Sequence, residues 1–138
     1  MSPVEIEIPP SFDHLAMVRS VLSNALGAEQ VLKNERLQDL RLAASEAATN
    51  AIEAHQRGGL TTSVQIRVEI DDRDVRVVVT DRGGGFDPST LKPHPPVTDP
   101  ERLEYERGLG VTLMRRLTDG CEINSGPKGT TVVLTMHR

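Results

Sequence analysis

The chain has 138 residues and a formal net charge of −4, enough length for one domain with a real core and too little for two. The acidic balance gives no basic footprint for nucleic acid, and Phe12, Phe86 and Tyr105 are the only aromatic residues, too few for a base-stacking platform. The lone cysteine, Cys121, leaves no internal disulfide or thiol metal cluster and reads as a small core hydrophobe. With no leader-like pattern in "MSPVEIEIPP" and no apolar run of spanning length, the expectation is a cytoplasmic protein without a membrane or direct nucleic-acid role.

In chain order, "VEIEI" alternates, with Val4, Ile6 and Ile8 on one face, and Pro9-Pro10 stops it. It is a short strand, expected at a sheet edge, where open backbone groups invite another chain. Ser11 is placed to cap a helix on which Leu15, Val18, Leu22 and Leu26 recur, with Gly27 as its stop. Arg19 falls opposite much of that stripe and is expected to be exposed. A long Ala-rich helix follows from about 32 to 56, ended by "RGG". "SVQIRVEI" and "DVRVVVTD" alternate with Val64, Ile66, Val68, Ile70 and Val75, Val77, Val79 inward, joined by the polar turn "DDRD" into an antiparallel hairpin. Residues 83 to 106 contain consecutive glycines and Pro88, Pro93, Pro95, Pro96 and Pro100, a composition that reads as a long functional loop. "GVTLMRRLTD" is a short helix, and "CEINS" and "TTVVLTMH" are closing strands around "GPKG". The order predicts a single α+β domain over 1–138: a two-layer sandwich with helices on one face of a mainly antiparallel sheet. His14 and His55 are expected at the surface.

Four features invite a chemical reading. Glu46 and Asn50 lie one turn apart on the long helix among Ala43, Ala44, Ala47, Ala48 and Ala51. An amide oxygen suits a hard cation such as Mg²⁺, and a nearby carboxylate can orient or deprotonate a nucleophile; two solvated polar residues are the plain alternative. In "VVVTDRGGGFD", Asp81 ends an apolar strand and Gly83 and Gly85 follow. Such a carboxylate can accept from an exocyclic amine while glycines let the backbone approach a flat ligand; a common glycine turn is the alternative. In "ERGLGVTLMRRL", Gly108 and Gly110 stand where a helix is predicted to begin, and Arg107 precedes them. Helix-start amides and a guanidinium suit phosphate, though a hinge before a core helix would look the same. In "GPKGTTVVL", Thr130 opens a strand, which a β-branched residue does without any function.

Together, E-x-x-x-N on a helix, D-x-G-x-G after a hairpin, a long loop, G-x-G at a helix start and G-T before the last strand resemble the N, G1, G2 and G3 boxes of the GHKL (Bergerat-fold) ATPases, from about residue 4 to 137. Within that superfamily, "SEAATNAIEAH", "TDRGGGFDP" and "RGLGVTLMRRLTD" are similar to the anti-sigma-factor serine/threonine kinases of the RsbW and SpoIIAB type. The resemblance implies ATP or ADP with Mg²⁺. It assigns Asn50 to the metal, Glu46 to activation of a serine or threonine hydroxyl, and Asp81 to the adenine amine, with Gly83 and Gly85 as the wall beside it. Gly108 and Gly110 would meet the phosphates and Arg107 the γ-phosphate. Residues 84–106 would be the ATP lid, and Thr130 would back the adenine end. It further implies phosphorylation of a STAS-domain anti-anti-sigma factor, sequestration of a sigma factor, and a homodimer, with the N-terminal strand and first helix as the surface for self-association or for the sigma factor; an exposed Arg19 would suit that interface, and a plain solvated helix residue is the alternative.

Two other readings stay open. One is a nucleotide-dependent binding module with little or no kinase activity, against which Glu46 and Asn50 are both intact. The other is a relative of sensor histidine kinase catalytic domains, against which no dimerisation helix with a phosphoacceptor histidine is read. One departure from the resembled pattern is that N-A-I-x-H is often found, whereas His55 here comes one residue later, which bears on the loop after the helix and not on the site.

Overall fold

The computed structural model describes residues 3–27, 30–84 and 102–138, with backbone alone over 102–108. Strand β1 (Val4–Ile8) leads through a 3-10 turn (Phe12–His14) into α1 (Leu15–Gly27) and α2 (Asn34–Arg57). The hairpin β2 (Val64–Ile70) and β3 (Asp74–Asp81), helix α3 (Arg102–Leu117), and the hairpin β4 (Gly120–Gly126) and β5 (Gly129–His137) complete it. The five strands run in the order β1-β2-β3-β5-β4, every pairing antiparallel. The predicted α+β architecture is therefore the observed one, and β1 is an edge strand as expected.

Alternation along the strands decides which face is covered. Register pairs Ile66 with Val79 and Val68 with Val77, then Val77 with Leu134 and Val75 with Met136, so one face is continuous hydrocarbon and is buried. Val18, Leu22 and Leu26 of α1, Leu40 and Ile52 of α2, and Val111 and Met114 of α3 close over it. Between Leu40 and Ile52, the buried face of α2 is Ala43, Ala44, Ala47, Ala48 and Ala51. Methyl groups let the helix lie close to the sheet, and an extra methylene at Ala48 would overpack that contact by roughly 1–3 kcal/mol.

The end of the sheet away from Asp81 is polar and tied. Asp71 Oδ1 accepts from the Arg73 and Asp74 N–H groups, each at 2.8 Å, and Oδ2 meets Arg76 at 2.8 Å. These amides, then Arg76, hold its carboxyl down at about 2. Arg36 of α2 pairs with Asp119, which also accepts from the His137 N–H at 2.7 Å.

Three expectations are corrected. α3 begins at Arg102, not at the predicted start near Gly110, because "RLEYER" is rich in good helix formers once Pro100 is passed. The expected loop is thus helical from 102 to 106, and its remainder from 85, with Gly85, lies outside the described residues. His55 is fully buried, not at the surface, since two backbone groups satisfy its ring. Arg19 is half-buried, not fully exposed, because it lies along the groove between α1 and α2.

Candidate active site

Glu46, Asn50 and Ala54 share one face of α2 at successive i+4 steps, spread over about 12 Å at 1.5 Å per residue. Two glycines from elsewhere in the chain press on this face. A Cβ on Gly110 would stand 3.1 Å from Glu46 Oε2 and 3.6 Å from Asn50 Nδ2. A Cβ on Gly83 would stand 2.6 Å from Ala54 Cβ and 3.1 Å from its carbonyl carbon. Helix α2 therefore joins the predicted Glu46–Asn50 pair and the predicted Asp81 site into one continuous surface.

At the Glu46 end the polar groups are incompletely served. Asn50 Nδ2 is buried and has no hydrogen-bond partner among the described residues. Burial raises the Glu46 carboxyl above its ordinary value, and Glu53 adds repulsion, which makes its ionised form a better base. Glu46 also lines a groove of about 400 Å³ between α1 and α2, with Arg19, Arg41 and Ser45. It thus faces two compartments, the groove on one side and the Gly110 contact on the other.

At the other end the geometry is closed by hydrogen bonds. Asp81 Oδ1 accepts from the Gly83 N–H at 2.9 Å and the Thr130 N–H at 3.3 Å. Both of these bonds fall on Oδ1, which leaves Oδ2 as the oxygen a ligand donor such as an exocyclic amine would use. Burial raises the Asp81 carboxyl, and the two amides act against that rise. Thr130 meets Asp81 through its backbone, while its hydroxyl pairs with Ser125 Oγ at 2.8 Å.

The structure also places residues that the motif reading passed over. Gly129 has φ +139°, and a Cβ there would lie 2.0 Å from the Asp81 carbonyl oxygen, so only glycine lets β5 start beside Asp81. His55 bonds to the Arg82 N–H. Its signal was a histidine in an apolar helical stretch, which by itself specifies no role.

Gly108 and Gly110 lie inside α3, not at its first turn, where free N–H groups are found. Gly110 serves here as a close-approach residue against Glu46 and Asn50. The side chain of Arg107 is outside the described residues. No group of three or more His, Cys, Asp or Glu among the described residues could cage a metal. A single amide ligand at Asn50 nonetheless suits Mg²⁺, which takes few protein ligands and keeps water and phosphate oxygens for the rest; the atom that would meet it is Oδ1, because the buried Nδ2 is a donor and cannot ligate a cation.

Residues 8–136 match the sequence profile of the histidine kinase-like ATPase domain, and the chain belongs to that family. Among its curated relatives, serine-protein kinase RsbW of Bacillus pumilus is 30% identical, with 96% of this chain and 83% of the relative aligned. RsbW of Staphylococcus aureus is 28% identical over 97% and 86%. The RsbU and RsbW domains of a Mycobacterium tuberculosis protein superpose with a TM-score of 0.71 at 23% identity, covering 99% of this chain and 32% of that one. One chain of the SiaB–SiaC complex structure from Pseudomonas aeruginosa shares the fold, with a TM-score of 0.61 at 16% identity, covering 98% of this chain and 88% of that one. No helix among the described residues is long and apolar enough to cross a membrane.

Proposed function

We propose that this chain is an ATP-dependent serine/threonine protein kinase that acts as an anti-sigma factor. Its acceptor is a STAS-domain anti-anti-sigma protein, and it sequesters a sigma factor in turn. Membership of the histidine kinase-like ATPase family and similarity to serine-protein kinases named RsbW support the class. The observation that carries the chemistry is Glu46, which borders both the Gly110–Asn50 contact and the open α1–α2 groove.

In this reading adenine meets Asp81 Oδ2, and the phosphates run along α2 toward Asn50. Asn50 Oδ1 would hold Mg²⁺, which when bound neutralises phosphate charge. The acceptor hydroxyl enters from the groove. Its oxygen bonds to the γ-phosphorus as the bond to the β–γ bridging oxygen breaks, ADP leaves, and the hydroxyl proton passes to Glu46. Positioning and charge neutralisation supply most of such catalysis. Bringing Gly108 and Gly110 amides to phosphate requires the first turns of α3 to unwind, and Arg107 would then meet the γ-phosphate. The protein works in the cytoplasm as a homodimer, with the open edge of β1 and the α1 surface as contact regions. Incubation with labelled ATP and purified STAS-domain proteins tests the proposal: label on a serine or threonine of the acceptor is expected. Tight ADP binding with no transfer to any acceptor would favour the nucleotide-dependent binding module instead.

A further inference from the structure

His55 stands at the C-terminal end of α2 with no exposed surface. Its two ring nitrogens are used in opposite senses. Nε2 lies 2.9 Å from the Arg82 nitrogen and accepts its N–H. Nε2 therefore carries no proton, and Nδ1–H donates to the Thr62 carbonyl at 2.9 Å. The backbone of the same residue joins in, because the His55 carbonyl accepts the Leu60 N–H at 2.8 Å. The turn that makes this possible passes through Gly59 at φ +65°, a left-handed position that glycine takes readily. One residue thus clasps the end of α2, the turn after it and the end of β3.

Arg82 is the residue between Asp81 and Gly83. Gly83 rests on Ala54 and gives its N–H to Asp81 Oδ1. Holding the Arg82 amide therefore fixes the peptide units on which the aim of the Asp81 carboxylate depends. The spacing also explains the late histidine. Four residues after Asn50 stands Ala54, and Gly83 is close enough that even a Cβ would lie 2.6 Å from the alanine methyl. An imidazole at 54 would displace Gly83. At 55 the ring is turned about 100° around the helix and reaches Arg82 without entering the cleft.

We propose that His55 is a positioning residue for base recognition: its acceptor nitrogen sets the Arg82 peptide so that Asp81 Oδ2 points at the exocyclic amine of a 6-aminopurine. This rests on the adenine reading of Asp81, and discrimination between ATP and ITP, which has a carbonyl in place of that amine, separates the two. The direct measurement is the ratio of ATP to ITP affinity, by calorimetry, in wild type, Asp81→Asn, His55→Leu and His55→Gln. Leucine fills much of the volume without hydrogen bonds, whereas a glutamine amide offers one donor and one acceptor. His55→Leu is expected to cut the ATP:ITP ratio about tenfold, the scale of a misplaced hydrogen bond, with His55→Gln recovering most of it. The maximal transfer rate at saturating ATP should stay within about twofold. If Asp81→Asn leaves the ratio unchanged, the adenine reading fails. If Asp81→Asn changes it and a folded His55→Leu or His55→Gln does not, His55 is only a stabilising residue and this inference fails. Should the leucine variant not fold, nitrogen NMR of the wild type decides: ADP must move the His55 Nε2 and Arg82 N–H signals, and their constancy overturns the proposal.

Discussion

At Ala54, α2 is met by backbone; at Glu46 and Asn50 it is met through the tips of side chains. Around Asp81 the nearest neighbours of a would-be Cβ at Gly129 are main-chain atoms, and at Gly83 they are the Ala54 methyl and main chain. At Gly110 they are a carboxylate oxygen and an amide. The Asp81 end, the base end of the proposed function, is thus a lattice of fixed peptide groups around one carboxylate. The Glu46 end, its proposed phosphate end, holds an amide whose nitrogen has no partner among the described residues and a carboxylate at the end of a flexible stem. In the proposed function, recognition of a flat, invariant ring would gain from the first arrangement, and chemistry with moving phosphates from the second.

The largest expected effect breaks the chemical end alone. Glu46→Gln should lower transfer about 10²- to 10⁴-fold, the range of a lost general base, while calorimetry finds ADP affinity unchanged. The wild-type rate should rise with pH through the raised pKa of Glu46, whose direction burial sets, and that limb should vanish in the variant. Asp81→Asn breaks the base end. An amide that turns its NH₂ toward adenine sets donor against donor, and ADP affinity should fall about 100-fold, or ~2.7 kcal/mol.

Alanine at the glycines sharpens the contrast. Gly129→Ala places a side chain at φ +139° and against main chain, so denaturant unfolding should show a loss of about 2–4 kcal/mol. Gly110→Ala should unfold within about 1 kcal/mol of wild type, because the Glu46 carboxylate can rotate aside, yet transfer should suffer. Asn50→Ala should leave the ligand-free protein as stable as wild type or slightly more so, since its Nδ2 is buried without a partner, but should abolish the Mg²⁺ dependence of ADP binding.

The smallest effects lie at the far end of the sheet, where pH acts without touching the site. His137 is raised above 6.5, chiefly by its hydrogen bond to Asp74. The stability it adds is complete below about pH 6.5 and is lost as pH climbs through the raised value. Asp71 works in the opposite sense. Its stabilisation is complete above its ordinary 3.8 and is lost as pH falls toward about 2. Urea midpoints measured across pH for His137→Gln and Asp71→Asn should each flatten one of these limbs and leave nucleotide affinity alone.

Much of this was legible because it rests on periodicity. The valines of β2 and β3 and the Leu15–Leu26 stripe declare a face, and their burial follows the pattern. Asp81 with Gly83, and Glu46 with Asn50, were legible as spaced pairs. What stayed hidden depends on contacts distant in sequence. That His55 meets Arg82, or that Gly129 lies under the Asp81 carbonyl, follows from strand order and helix seating, which no local pattern encodes. The start of α3 was misread because Gly108 and Gly110 look like punctuation, although the helix-forming run before them continues through both.

The two ends of α2 are also finished differently, and this sets where the helix opens first. Lys33 provides no side-chain cap at its N-terminus, and the nearby Arg36–Asp119 pair is partly exposed, an arrangement that resists fraying weakly. Its C-terminus is closed by the Gly58–Leu60 turn and the buried His55 clasp. Amide exchange along α2 should therefore form a gradient, fastest near Asn34 and slowest toward Ala51 and Ile52. Brief unwinding should therefore reach Gln38 and Arg41, on the groove side, before it reaches Asn50. In the proposed function, the half of α2 that faces a protein partner is the half expected to open more readily, and the half that carries the nucleotide is expected to open only with the domain as a whole.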